Sequence, residues 1–283
     1  MKVVLTLSCP NKPGIVHSVT GILFEYGADI VEAAQFDDQT TGQFFARISF
    51  EFPQENKDAL KRLRTEFKDL SHRFRMSALL CRSDFRIPTL IMVSQLGHCL
   101  NDLLFRHQSG LLPIDIRAVV SNHTTFSGMV EQYRLPFHHI PVTSINKADA
   151  EAQLIALVQQ ESVELVVLAR YMQILSPQLC ERLSGNVINI HHSFLPSFKG
   201  ARPYQQAHDR GVKVIGATAH YVTAELDEGP IIEQGVERVS HSADVQSLTA
   251  IGRDIESVVL ARAVRWHAER RVFRCGNKTV VLN

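Results

Sequence analysis

The 283-residue sequence lacks the marks of several common protein classes. No apolar run reaches the ~18 residues that a membrane-spanning helix needs, so no membrane contact is expected. The formal net charge is +1, which leaves no electrostatic case for nucleic acid. The five cysteines (Cys9, Cys81, Cys99, Cys180 and Cys275) are odd in number and show no paired spacing. That pattern argues against a disulfide framework and against zinc, and fits a reducing cytoplasm. His138 and His139 have no further ligand at metal-binding spacing, so no metal is expected. The short apolar stretch at residues 1–12 alternates like a strand, unlike a signal peptide. What is present is 45% hydrophobic and 21% charged, the profile of a soluble globular chain. Its length predicts about two domains at ~150 residues each.

Residues 2–9 read as a strand that Pro10-Asn11-Lys12-Pro13-Gly14 breaks. Ile15, Val19, Ile22, Leu23 and Tyr26 then recur at helical spacing, and Gly27 stands where a helix C-cap glycine would. Strands at 28–36 and 43–52 flank a polar hairpin loop. Leu60, Leu63, Phe67 and Leu70 mark a second helix, and 74–80 a last strand. The order βαββαβ is the ferredoxin-like unit. With Pro13-Gly14-Ile15 after its first strand, the segment resembles an ACT domain. The resemblance implies a regulatory module with an amino-acid effector, lined by Asn11, Gly14 and Ile15, and a homo-oligomer (dimer or tetramer). A unit that only assembles the oligomer is equally compatible. No nucleophile–base set occurs here.

The domains read as 1–82, a polar linker at 83–87, and 88–283. In the last of these, strands at 89–94, 114–121, 138–141 and 163–168 alternate with helices at 96–105, 125–133 and 149–160. Such alternation predicts an α/β, doubly wound parallel sheet of the Rossmann-like type. Two successive strands between 214 and 239 add an edge to it. A long helix at 245–269 carries Leu248, Ile255, Val258, Val259 and Ala263 as its buried stripe. Arg253, Arg262, Arg265, Arg270 and Arg271 read as a solvated face or subunit contacts, and 278–282 as a last strand.

The most informative stretch is 186–235. Residues 187–190 form an apolar, β-branched strand that runs into His191, His192, Ser193 and two prolines. Asn189 and His191 are two apart and share a strand face. The strand at 214–222 leads into Asp227-Glu228-Gly229-Pro230, which can close over that pair. An amide, an imidazole and a carboxylate suit attack on an acyl carbon. From Asn189 through Pro196-Ser197-Phe198-Lys199-Gly200 to Asp227-Glu228-Gly229, the string resembles the folate-dependent formyltransferases. That resemblance spans about 88–283. It implies that Asn189, His191 and Asp227 surround the formyl group of 10-formyltetrahydrofolate, a substrate, with no cofactor. It also implies that Tyr171, Met172, Gln173 and Leu175 line the pterin pocket, while Lys199 and Gly200 shape the active-site loop.

Members that formylate glycinamide ribonucleotide carry a glycine-rich loop after the first strand, which cradles a phosphate. Here the loop reads Ser94-Gln95-Leu96-Gly97-His98, and its side chains, His98 among them, would crowd that phosphate. Water is then left to attack the formyl carbon. An ACT-like domain followed by a formyltransferase-like domain is the arrangement of formyltetrahydrofolate deformylases. The expected reaction is hydrolysis to formate and tetrahydrofolate, feeding one-carbon and purine metabolism. Formyl transfer to a small amine, and a non-catalytic binding protein, are the alternatives. Whether Asp227 or His191 is the immediate base stays open.

Overall fold

A computed structural model of the chain describes residues 1–52, 57–196 and 203–283. Lys199 and Gly200 lie outside the described residues. The chain divides into two compact units. One comprises Met1–Phe85, Glu269–Cys275 and Thr279–Asn283; the other comprises Arg86–Ala268 and Gly276–Lys278. The tail thus groups largely with the first unit, whereas the span 88–283 read from the sequence carries it with the second.

The first unit runs β1 (Lys2–Pro10), α1 (Ile15–Glu25), β2 (Asp29–Asp38), β3 (Gln43–Glu51), α2 (Lys57–Phe74) and β4 (Ser77–Arg82). Among the described residues its strands form an antiparallel sheet in the order β2-β3-β1-β4. Val3, Leu5, Leu7 and Cys9 alternate along β1 and face Ile15, Val19 and Leu23 of α1 and Leu63 and Phe67 of α2 in one core. The helix α1 ends as its composition predicts, with Gly27 in the left-handed region at φ 65. Ile15 is buried in that core, so only its backbone is left to a ligand, while Asn11 and Gly14 are exposed. α2 reaches Phe74, past the point where the sequence pattern starts the last strand; Arg75, at φ 52, makes the turn into β4.

The other unit runs β5 (Ile87–Val93), α3 (His98–Gln108), β6 (Ile114–Ser121), α4 (Ser127–Gln132), β7 (Phe137–His139), α5 (Lys147–Gln160), β8 (Leu165–Leu168), α6 (Pro177–Arg182), β9 (Val187–His191), α7 (Pro203–Asp209), β10 (Val214–Tyr221), β11 (Ile231–Arg238) and α8 (Val245–Ala268). Its sheet has the order β11-β10-β9-β8-β5-β6-β7 among the described residues. Strands β5 to β9 are parallel, and β10 and β11 add an antiparallel edge. Every residue of β5 and β8 is buried, as expected for strands covered on both faces. The strand order reverses between β5 and β8, and ligands settle at the C-terminal ends of strands flanking such a reversal. α6 carries no long apolar repeat, yet it is well specified. Ser176 caps it by accepting from the Leu179 amide, and Pro177 opens its first turn.

Two parts of the helix reading are corrected. In α8, Val258 is exposed and the buried face includes Gly252 and Glu256. The tail arginines are not all solvated. Arg271 bonds Glu32 and Glu269, whereas Arg262 stays exposed while pairing with Glu233. The tail strands β12 (Val272–Cys275) and β13 (Lys278–Val281) form their own two-stranded sheet, and Phe273 packs on Phe45 of β3.

Phe50 is fully buried in the first unit's core. Phe50→Ala should cost about 3–5 kcal/mol of that unit's stability, read as a lower urea midpoint. A midpoint unchanged from the parent would mean that this core does not hold the unit together.

Candidate active site

The antiparallel pairing of β9 with β10 sets Asn189 opposite His220 and His191 opposite Thr218. Thr218 then fixes the chain where it leaves β9. Its buried hydroxyl donates to the Ser193 carbonyl at 2.9 Å and accepts from the Leu195 amide and the Gln234 side chain, both at 3.0 Å. Beyond β10 the chain doubles back through Asp227, at φ 57, a left-handed conformation that aspartate tolerates better than most residues. Gly229 permits this return, because a Cβ there would lie 1.7 Å from the Tyr221 carbonyl oxygen.

The result is a carboxylate held between two buried imidazoles. Oδ2 of Asp227 is 3.2 Å from Nδ1 of His191, and Oδ1 is 3.7 Å from Nε2 of His220. His220 Nδ1 faces the Tyr221 carbonyl at 2.9 Å and must donate to it. In the neutral ring Nε2 is therefore an acceptor, and Asn189 Nδ2 donates to it at 3.2 Å. The second N–H of that amide remains for another acceptor. Asp227 can only accept, so Nδ1 of His191 carries the proton. Its Nε2 is buried without a hydrogen-bond partner among the described residues. Burial alone would raise the Asp227 pKa. The hydrogen bond from His191 Nδ1 and the closeness of both imidazoles outweigh it and hold the carboxyl well below the usual carboxylate range.

These groups line a cavity of ≈ 560 Å³, within the range of ~300–1,000 Å³ that suits a small organic ligand. Tyr171, Met172, Gln173 and Leu175, which follow β8, line the same cavity. Ser94 holds that segment to the end of β5. Its amide donates to the Arg170 carbonyl, and its hydroxyl accepts from the Met172 amide and donates to Asn122. His98 lies in the first turn of α3 and also faces the cavity. His192 stacks on His191 with ring centroids 4.9 Å apart; burial and the charges of Arg170 and His191 lower its pKa to about 4.

Two family models match the chain, an ACT domain over residues 3–72 and a formyl transferase over residues 88–264. A Corynebacterium sp. (strain P-1) protein named formyltetrahydrofolate deformylase is 53% identical over 279 residues, covering 99% of this chain and 97% of its own. The chain belongs to the formyltetrahydrofolate deformylase family. A Bacillus subtilis (strain 168) deformylase is 45% identical over 282 residues, covering 99% of this chain and 93% of its own. The crystal structure of the Burkholderia mallei deformylase superposes with a TM-score of 0.95 at 51% identity, over 100% of this chain and 99% of that one.

In this deformylase-family fold the sequence-derived Asn189, His191 and Asp227 converge on one cavity wall with Tyr171, Met172, Gln173, Leu175 and His98. Sequence reasoning missed His220, Thr218, Arg170, Tyr204 and Glu256. His220 had one usable signal, since it lies on the strand next to the Asn-x-His strand and shares its polar face. Glu256 had another, since it recurs with Gly252, Val259 and Ala263 on the buried side of α8. His98, Cys99 and Glu256 offer atoms within 4.8 Å of one another. They do not read as a metal site, because burial pushes the Cys99 thiol up and keeps it protonated, and Glu256 is already engaged by its neighbours.

A lowered native carboxylate pKa contributes stability that is complete above the ordinary value of ~3.9 and is lost as pH falls through the native value. Asp227→Asn lacks that contribution. The melting-temperature gap between parent and variant should therefore hold at neutral pH and close in acid below about pH 4. A gap that persists in acid would contradict an ionised Asp227.

Proposed function

We infer that the chain hydrolyses 10-formyltetrahydrofolate to formate and tetrahydrofolate, and that the cavity bounded by Asn189, His191 and Asp227 is where it does so. The single observation that carries the assignment of roles is the pairing of Asp227 with His191 Nδ1, with His191 lining the cavity and its Nε2 buried without a hydrogen-bond partner among the described residues. Nε2 takes a proton from water as its oxygen attacks the formyl carbon. The free N–H of Asn189 holds the oxyanion, and Asp227 stabilises the imidazolium. The same Nε2–H then protonates N10, the C–N10 bond breaks and formate leaves. Asp227 is a poor base because its carboxyl is held so acidic. His191 is therefore the group that exchanges protons and Asp227 the group that orients it.

The apolar loop at Tyr171–Leu175 is proposed to hold the pterin. No cofactor is required by this sequence of steps. The product formate would supply one-carbon and purine metabolism. Residues 1–82 are proposed as the regulatory or assembling module and the residues from 88 on as the catalytic one, joined at 83–87. An amino-acid effector near Asn11 and Gly14, a homo-oligomer and a cytoplasmic location are also proposed. The ACT match and the unpaired cysteines support these readings. Among the described residues no helix is long and apolar enough to cross a membrane. Transfer to an amine is disfavoured by the consistent naming of whole-length relatives as deformylases.

Supplied with 10-formyltetrahydrofolate alone, the purified chain should release free formate; none would sink the reading. Asn189→Ala should lower kcat about 10²–10³-fold, as loss of one oxyanion donor does, and His191→Ala should reduce formate release further. Titration with glycine or methionine should change activity or oligomer size; no response to any amino acid would leave assembly as the first module's role.

A further inference from the structure

The cavity holds a second cluster of buried charges that the steps above do not use. Arg170 follows β8 at φ 64, a conformation glycine adopts freely and arginine rarely. It is 8% exposed, and its Nε makes no hydrogen bond among the described residues. That nitrogen lies 3.4 Å from Oε2 of Glu256, which is 1% exposed. His98 Nε2 meets the same carboxylate oxygen at 2.7 Å, and the Tyr204 hydroxyl donates to Oε1 at 2.6 Å. Four separate segments thus meet at one carboxylate: the loop after β8, α3, α7 and α8. Gly252, one turn before Glu256, makes the room. A Cβ there would lie 2.1 Å from the Tyr204 hydroxyl. All four side chains line the cavity that Asn189, His191 and Asp227 line.

Burying charge is costly unless every group is paired, and such clusters persist where they do a job. This one carries backbone strain at Arg170 and a glycine requirement at Gly252, so it is specified by several residues at once. Hydrogen bonds from His98 and Tyr204 and the charge of Arg170 overcome the effect of burial and keep Glu256 ionised. The cluster is therefore held together by charge and hydrogen bonds at neutral pH, in the same cavity as Asn189, His191 and Asp227.

We propose that Arg170, Glu256, Tyr204 and His98 form a fixed wall that fills the room an amine acceptor would need beside the formyl carbon, so that only water is admitted. The proposal rests on the hydrolytic reading and extends it from the loop after β5 to named side chains on four elements. Water brings one heavy atom to the carbon, whereas an amine brings its carbon skeleton as well. Where the wall is breached, an amine nitrogen attacks the formyl carbon. Its proton passes through His191 to N10, the C–N10 bond breaks, and a formamide and tetrahydrofolate form without water being consumed.

The test uses the full chain with 10-formyltetrahydrofolate carrying a ¹³C-labelled formyl group, and glycinamide as the probe amine. Parent, Arg170→Gly and Tyr204→Ala proteins are compared by NMR for labelled formate and labelled N-formylglycinamide. The first substitution also relieves the left-handed strain, which offsets part of the cost of leaving Glu256 without Arg170. The formamide-to-formate ratio should rise with amine concentration in the variants and exceed the parent's by at least about tenfold. Partition wholly to formate in both variants overturns the proposal, as does a parent ratio equal to that of the variants. Loss of both products in both variants overturns it too, since the cluster would then serve the chemistry itself. Failure of the parent to release formate would instead strike the hydrolytic reading.

Discussion

The ionised carboxylate of Asp227, clamped between His191 and His220, is the constraint on which the catalytic arrangement depends. It fixes which nitrogen of His191 carries a proton, and so which one keeps its lone pair. The Asn189 amide is fixed by its own bond to His220 Nε2, whose tautomer the Tyr221 carbonyl sets. The geometry is inherited from backbone register. The β9–β10 pairing sets Asn189 against His220, and the return at Gly229 brings Asp227 over both. A single-residue slip in that register would turn the pair to the opposite face of the sheet.

Much of this was legible in the sequence because the informative residues lie close together. Asn189, His191 and Asp227 occur within one stretch, and strand periodicity alone puts the first two on a common face. The doubly wound sheet followed from strands alternating with helices, and the N-terminal βαββαβ order from apolar spacing. What escaped was long-range. Glu256 sits 52 residues from Tyr204 and 158 from His98, and periodicity has no term for a charge that enters a core because three other elements satisfy it. Val258 was assigned to the buried stripe of α8 on hydropathy, and the position that tertiary packing buries is instead Glu256. α6 was passed over because its specification is a capping serine and a proline rather than an apolar repeat.

The two polar clusters of the cavity are joined by His192, whose ring contacts both His191 and Tyr204. Its low pKa, about 4, keeps it neutral in ordinary conditions. A charged ring at that point would repel Arg170 and compete with His191 for protons. As a neutral spacer it lets two ionised carboxylates occupy one pocket without merging into a single titrating system.

That separation bears on how protons move. Two carboxylates near a scissile bond often divide the work of acid and base, which requires one of them to be held protonated. Here each is pushed the other way, Asp227 by its imidazoles and Glu256 by His98, Arg170 and Tyr204. Neither can donate a proton to N10 at neutral pH. In the proposed hydrolysis the leaving nitrogen is then protonated by a histidine. His192 is held neutral by burial and by Arg170, and His220 commits Nδ1 to a carbonyl and Nε2 to Asn189. His191 remains, with Nδ1 anchored on Asp227, so both proton transfers of the proposed hydrolysis fall to its other nitrogen.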